Sequence, residues 1–391
     1  MQDIYVVEAL RTPFGSLGGM FADRDAPQLA ASVIRGLLEK CCLAQAAVDE
    51  VIIGQVLSGG CGQAPARQAM RQAALPDSVH ALTINKVCGS GLKAVLLGAD
   101  AIRLGNSRVV IAGGMESMSN APYALKKARN GYRLGHGQIH DLMILDGLQD
   151  PDSGSHMGEI GEQSASRNNI SRHDQDEYAL RSYCLARTAV TDGVLLPEIV
   201  AMQQQTRGET RLVDSDEEPF RADPSRLATL KPAFHEGGTI TAGNASTIND
   251  GASLALLTDR IGLKTLGLEP RARLVASACE SCHPDHFPEA PVAAIHKVCQ
   301  KAGLRLNDMD LIEINEAFAC VVLHAIRTLQ LDPERVNVNG GAIAIGHPIG
   351  ASGGRLVATI IRELHRRQAR YGLVSLCIGG GEALAAIFER M

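Results

Sequence analysis

A chain of 391 residues with a net charge of −5 has room for two or three domains' worth of core and carries no long basic stretch. Nucleic acid is therefore not an expected partner, and no apolar run reaches the ~18 residues needed to cross a bilayer, so a membrane is not expected either. Trp is absent and aromatic residues make up 3%, against 40 glycines, so the core must be built from Ala, Val, Leu and Ile with tight turns and close backbone contacts. The opening run MQDIYVVEALRTPFG is interrupted by Asp3 and Glu8 and reads as a first strand, not a signal peptide. The ten cysteines are Cys41, Cys42, Cys61, Cys88, Cys184, Cys279, Cys282, Cys299, Cys320 and Cys377. With no export signal they imply a reducing, cytoplasmic setting, most of them free thiols buried as small hydrophobes.

In chain order, apolar runs predict strands at Ile4–Glu8, Val51–Gln55 and Val109–Gly113, then at Arg273–Ala278, Leu311–Asn315, Val336–Asn339 and Gly372–Ile378. Helical patterns fall between them at Leu29–Cys41, Ser90–Leu104, Pro291–Ala302, Ala317–Leu329 and Ala351–Gln368. This alternation predicts an α/β fold. The two ends echo each other: CGSGLKAVLLGADAI then VVIAGGMES, and HPIGASGGRLVATII then VSLCIGGGEA. Each pair is a helix opener, a helix and a strand stopped by glycines, the signature of a duplicated α/β unit. Between them, residues 119–248 are more polar and turn-rich, as at Asp150–Ser155 and Gln203–Asp216, yet contain helical patterns at Gly158–Asn168 and Asp174–Asp192. The expected division is an N-terminal half (1–118 with 249–270), a large insertion (119–248) and a C-terminal half (271–391). Insertions of this size on a rigid α/β scaffold usually carry binding functions.

Four residues stand out for chemistry. Cys88, in NKVCGSG, opens a helix, and a helix N-terminus favours thiolate over thiol. The same pattern also suits a small core cysteine beside a tight turn. His347, in GGAIAIGHPIGASGG, could accept a thiol proton or be a structural histidine among glycines. Cys377 ends an apolar strand ahead of Gly379–Gly381, whose N–H groups could face a developing oxyanion. Asn315 ends another strand at a helix start, where Asn is also a common cap. Strand ends and helix starts meet on one side of an open α/β sheet, so all four can converge. Cys279-Glu-Ser-Cys282-His283, with His286 beyond, imitates a haem or zinc pattern, but one cramped loop would have to supply every ligand.

Taken together, NKVCGSG, GGMESMSNAP, HMG at 156–158, TAGNASTINDGA, NEAF at 315–318, NVNGGAIAIGHPIGASG and CIGGG resemble the thiolases, in the same order and over essentially the whole chain. The acetoacetyl-CoA branch is the most similar. The resemblance implies a thiolase-like duplicated α/β/α layered fold with an inserted loop domain. It also implies reversible condensation of two acetyl-CoA to acetoacetyl-CoA plus CoA, with CoA thioesters as substrates and no required cofactor. On this resemblance Cys88 is the acylated nucleophile and His347 its activator and later an enolate stabiliser. Cys377 is the acid/base for the leaving CoA and the α-proton, and Asn315 holds a water at the enolate oxygen. The N–H groups of Cys88 and Gly379 form the other oxyanion hole.

By the same resemblance, His156, Met157, Arg221, Arg226, Leu230, Phe234 and Ser246 match CoA contacts, as do Ala317 and Phe318. Arg221 and Arg226 would meet CoA phosphates. Tyr123–His140 matches a tetramerisation loop, implying a homotetramer. Phe287-Pro288 resembles the animal mitochondrial branch, which also handles 2-methyl-branched acetoacetyl-CoA and is activated by potassium. Tyr183, Ala242, Gly243, Ala245 and Ile343 match the potassium positions there, with glycine replacing alanine at 243. The alternatives are a longer-chain 3-ketoacyl-CoA thiolase, which Phe287 disfavours by restricting the acyl pocket, and a non-catalytic acyl-CoA-binding relative.

Overall fold

The computed structural model describes residues 2–206 and 208–391. The N-terminal half runs β1 (Ile4–Arg11), α1 (Ala26–Lys40), β2 (Glu50–Gly54), α2 (Pro65–Gln72), β3 (His80–Ile84), α3 (Ser90–Arg103) and β4 (Val109–Ser117). The central segment carries α4 (Met157–Arg167), α5 (Arg172–Thr191) and a hairpin of β5 (Met202–Thr206) with β6 (Glu209–Val213). The chain then returns through β7 (Asn249–Asp259), α6 (Arg260–Leu266) and β8 (Ala272–Ser281). The C-terminal half follows with α7 (Ala290–Ala302), β9 (Leu311–Ile314), α8 (Ala319–Leu329), the short α9 (Ala342–Ile345), α10 (Ser352–Arg366), β10 (Tyr371–Ile378) and β11 (Glu382–Arg390).

The main sheet orders these strands β9-β10-β11-β8-β1-β7-β4-β2-β3. Its two ends repeat one pattern. In one, β2 is parallel to β4, which is antiparallel to β7, which is antiparallel to β1. In the other, β9 is parallel to β10, which is antiparallel to β11, which is antiparallel to β8. The halves meet where β1 pairs β8 over just Tyr5↔Arg273 and Val6↔Ala272. The duplicated unit expected from the sequence is therefore present.

Three apolar clusters define the layers. The outer helices α1 and α2 cover one face of the N-terminal half, and α7 and α8 pack into the outer core of the C-terminal half together with α4 and α5. Between them, α3 and α10 lie against each other and against strands of both halves. Those two helices approach at glycines. A Cβ on Gly91 would sit 2.8 Å from the Gly350 carbonyl oxygen, and one on Gly114, within β4, 1.9 Å from the same atom.

Several expected boundaries move for physical reasons. Val336–Asn339 forms no strand; Val336 makes a single parallel bridge to Ile312 where β3 stands in the other half. The predicted helix at Ala317 begins at Ala319, because Phe318 is extended (φ −143°, ψ 152°) and bridges Ala245. Gln203–Asp216, read as turn-rich, is mostly the β5–β6 hairpin. Strands β3, β7 and β11 and helix α2 were not anticipated. β7 is buried at all eleven positions, so it lacks the alternation that marks a half-buried strand. Three cysteines (Cys299, Cys320 and Cys377) are buried, whereas Cys42, Cys184, Cys279 and Cys282 are exposed, against the expectation of mostly buried thiols; all ten are free. Among the described residues, no helix is long and apolar enough to cross a membrane.

The glycine contact at the centre yields a stability test. Gly114→Ala must displace backbone, not a flexible side chain, so it should lower stability by about 3 kcal/mol. The urea denaturation midpoint reads this, and an unchanged midpoint would contradict the tight contact.

Candidate active site

Cys88 reaches the site through a strained turn. Val87 has φ +45°, a region that β-branched residues rarely occupy. The turn is held locally: Val87 N–H donates to Asn85 Oδ1 at 2.9 Å, and Ser90 Oγ donates to the Val87 carbonyl at 2.7 Å. The thiol packs beside Val56, Leu57, Met118 and Ile349. Its sulfur also receives the N–H groups of Gly379 and of Cys88 itself. Burial nevertheless outweighs these donors and pushes the thiol up to about 11. Burial thus opposes the pull of the helix N-terminus toward thiolate and favours the thiol.

His347 is fixed on three sides. Its backbone N–H donates to Asn249 Oδ1 at 2.9 Å. Its Nδ1 lies 2.5 Å from Ser352 Oγ, in the first turn of α10. Ser352 directs its own proton at the Pro348 carbonyl, 2.9 Å away, so Oγ accepts from Nδ1–H and the Nε2 lone pair remains the basic position. Burial and the Arg355 guanidinium press the imidazole down to about 3, keeping it neutral. Arg355 is itself buried and paired with Glu313 at 2.8 Å, two residues before Asn315 on β9.

Asn315 follows β9, and its backbone N–H donates to the Ser375 carbonyl of β10, which registers it beside Cys377. Its Nδ2 is 3.4 Å and 3.5 Å from the two His347 ring nitrogens, close but longer than an ordinary hydrogen bond. Among the described residues its buried Oδ1 has no hydrogen-bond partner. Cys377 ends β10 and is buried; desolvation, and then the nearby Cys88 and Cys320 sulfurs, hold its thiol well above the usual range. Cys88, Asn315, His347, Cys377 and Gly379 are therefore gathered at one place, as the sequence expected. The group carries no net charge at rest. It can pass a proton only while bonds to sulfur are changing, because an isolated charge here would be costly.

The central segment borders this centre. A Cβ on Gly379 would lie 3.2 Å from Met157 Sδ, which brings the start of α4 to the sulfur-facing turn. His156 caps α4 and stacks on Phe234 (5.0 Å, 27°), and Phe234 meets Phe318 edge-on at 6.2 Å. Ser246 N–H donates to the Ala317 carbonyl at 3.0 Å. Phe287 is buried in the same apolar cluster as Cys377, Ala317 and Phe318, and Leu230 packs at its margin. Arg221 is exposed and only loosely paired, 3.5 Å from Glu218, and Arg226 is exposed. Both guanidinium groups are reachable from solvent.

Tyr183 is buried on α5, which packs against α9, the helix bearing Ile343. Ala242, Gly243 and Ala245 lie on the loop before β7. A Cβ on Gly243 would come within 2.3 Å of Leu227 Cδ2 and 2.7 Å of Leu230 Cδ1, which accounts for glycine there. Cys279 and Cys282 are exposed, and among the described residues no three His, Cys, Asp or Glu side chains are grouped to hold a metal ion.

Some supporting residues were inside quoted motifs yet not singled out. Ser352 and Asn249 orient His347. Glu116 accepts N–H groups from Val56, Leu57 and Gly350, and burial raises it to about 7. Glu316 accepts from Tyr178, Ser182, Asn337 and the Ile343 N–H, tying α5 to the residue beside Asn315. The only sequence signal for each was a polar residue within an apolar, glycine-rich run.

Residues 4–260 match the family model described as the thiolase N-terminal domain, and residues 268–390 the thiolase C-terminal domain. The chain belongs to the thiolase family. It is 49% identical to the acetyl-CoA acetyltransferase of Pseudomonas aeruginosa and 46% identical to that of Escherichia coli, covering all of both chains in each case. The crystal structure of the Bacillus anthracis acetyl-CoA acetyltransferase is 39% identical and superposes with a TM-score of 0.97, covering 100% of this chain and 99% of that one. The duplicated, layered thiolase architecture is thus shared in full.

Thiol chemistry in this thiolase should follow the burial. Because the Cys88 pKa is raised, the reactive thiolate is scarce at neutral pH and grows with pH up to about 11. Iodoacetamide labelling at Cys88, followed by mass spectrometry, should accelerate roughly tenfold per unit between pH 7 and 10. A plateau below pH 8 would contradict the assignment.

Proposed function

We propose that the chain is an acetyl-CoA C-acetyltransferase, joining two acetyl-CoA into acetoacetyl-CoA and CoA and running the reverse. The observation that carries this reading is the convergence of two thiols, one neutral imidazole and one amide around the N–H groups of Cys88 and Gly379. The full-length likeness to acetyl-CoA acetyltransferases supports it.

In the first half-reaction the Cys88 sulfur attacks the acetyl thioester carbonyl while His347 Nε2 takes its proton. The carbonyl oxygen becomes an oxyanion held by the two N–H groups. CoA leaves as a thiolate and takes the Cys377 proton. The result is acetyl-Cys88 with an imidazolium and a Cys377 thiolate, so opposite charges appear together and the buried site stays neutral overall. In the second half-reaction Cys377 removes the α-proton of another acetyl-CoA. The enolate oxygen is stabilised by the imidazolium and by a water on Asn315, and the enolate carbon attacks acetyl-Cys88. Collapse releases Cys88, which recovers its proton from His347. Every proton is returned, and the covalent intermediate divides one hard condensation into two steps.

CoA is read as lying along residues 119–248. His156, Met157, Phe234, Leu230, Ser246, Ala317 and Phe318 line its path, and Arg221 and Arg226 meet its phosphates. Phe287 limits the acyl pocket to short chains, with 2-methylacetoacetyl-CoA as a further substrate. Potassium would be held by oxygen donors alone, the Tyr183 hydroxyl and the carbonyls of Ala242, Gly243, Ala245 and Ile343, and would stiffen the CoA-binding loops. A homotetramer, formed through the loop 123–140, is supported by that loop's exposed apolar residues: Tyr123, Ile139 and a fully exposed Leu134. A cytoplasmic location completes the reading.

Two measurements test it. Mass spectrometry after acetyl-CoA exposure should find one acetyl group on Cys88, and Cys88→Ala should lower turnover by at least about 10³-fold; retained activity with an unmodified Cys88 would sink the mechanism. Thiolysis of acetoacetyl-CoA should exceed that of a 3-ketoacyl-CoA six carbons longer by roughly 100-fold, and Phe287→Ala should narrow this gap. Equal rates in the parent enzyme would favour the longer-chain reading, and CoA binding without turnover the non-catalytic one.

A further inference from the structure

The two N–H groups that face the Cys88 sulfur come from different halves of the molecule, so their spacing depends on how two turns are held against each other. One turn is strained at Val87. The other is the three-glycine connection between β10 and β11, where Gly380 and Gly381 have φ of +88° and +86°. A turn with no side chains has little packing of its own to fix its position. It is held from outside, by Cys282 N–H donating to the Gly381 carbonyl at 2.6 Å and by Glu382 at its base.

Glu382 reaches across to the other half. Its Oε2 lies 2.5 Å from Lys86 Nζ, two residues before Cys88, and its Oε1 accepts from Ser281 Oγ at 3.4 Å. Lys86 is anchored in turn by its backbone N–H donating to Ser90 Oγ at 2.8 Å. Lys86 stands two residues before Cys88 in the strained turn, so its contact with Glu382 ties that turn to the base of the glycine connection. Both side chains are partly exposed, and such pairs add little to global stability.

We propose that Lys86 and Glu382 are a positioning pair whose ion pair, bridging the two halves, sets the spacing between the Cys88 and Gly379 N–H groups. The proposal rests on reading those groups as the oxyanion hole. Neither residue touches the reacting atoms; they hold the turns that do.

The test compares the full-length enzyme with Lys86→Met, Glu382→Gln, and the double exchange Lys86→Glu with Glu382→Lys. Active sites are counted by iodoacetamide labelling of Cys88. Each single substitution should lower kcat per labelled site about tenfold, because small displacements of oxyanion donors are costly. KM should change by less than about twofold and the pH profile of Cys88 alkylation should stay in place, as substrate contacts and thiol ionisation are untouched. The double exchange should recover most of the lost kcat. Single variants at parental kcat, a double exchange no better than the singles, or a displaced alkylation profile would each overturn the positioning role. Absence of acetyl-Cys88 in the parent would instead overturn the oxyanion-hole reading itself, so the two failures are told apart.

Discussion

Everything in this molecule depends on two buried helices being allowed to approach more closely than side chains normally permit. Helices α3 and α10 meet at Gly91, Gly350, Gly353 and Gly354, with Gly114 pressed against the same carbonyl from β4. One helix begins just after Cys88 and the other just after His347. Their contact brings the turn of Cys88 in one half toward that of His347 in the other. A methyl group at that contact would push the halves apart, and with them the two residues assigned the nucleophile and base of the proposed mechanism.

The same burial sets the electrostatics. Cys88 and Cys377 are held as thiols and His347 as a neutral imidazole, each mainly by desolvation. Charges at the centre then have to arise in opposed pairs while sulfur bonds are changing. This suits the proposed reaction, which alternately protonates a leaving thiolate and withdraws an α-proton. It also explains the supporting polar residues: Ser352 and Asn249 cost little to bury because they are hydrogen-bonded, and they keep the imidazole in one orientation.

The central segment joins this centre through hydrogen bonds as well as packing. Tyr178 and Ser182 on α5 both donate to Glu316, the neighbour of Asn315. Met157 touches the turn of Gly379. A ligand lying along this segment would press on elements fixed to Asn315 and Gly379, so under the proposed CoA path its binding would be coupled to the alignment of the site.

The sequence alone determined the α/β class and the duplication, and it singled out Cys88, His347, Cys377 and Asn315 as candidates for chemistry. Turns, helix openers and glycine stops are local, and they recur around Cys88, His347 and Cys377 in a recognisable order. It did not reveal β7 or β11, because strands buried on both faces lack alternation, and it placed a strand at Val336–Asn339 where the apolar run makes isolated bridges, Val336 to Ile312 and Val338 to Gly340. Nor could it fix protonation. The helix N-terminus at Cys88 suggested a thiolate, but desolvation is a property of the whole surrounding core and it prevails. The bond between His347 and Ser352, the four donors on Glu316 and the pair between Lys86 and Glu382 were likewise decided by tertiary structure. Residues 296 positions apart have no local signal that they will touch.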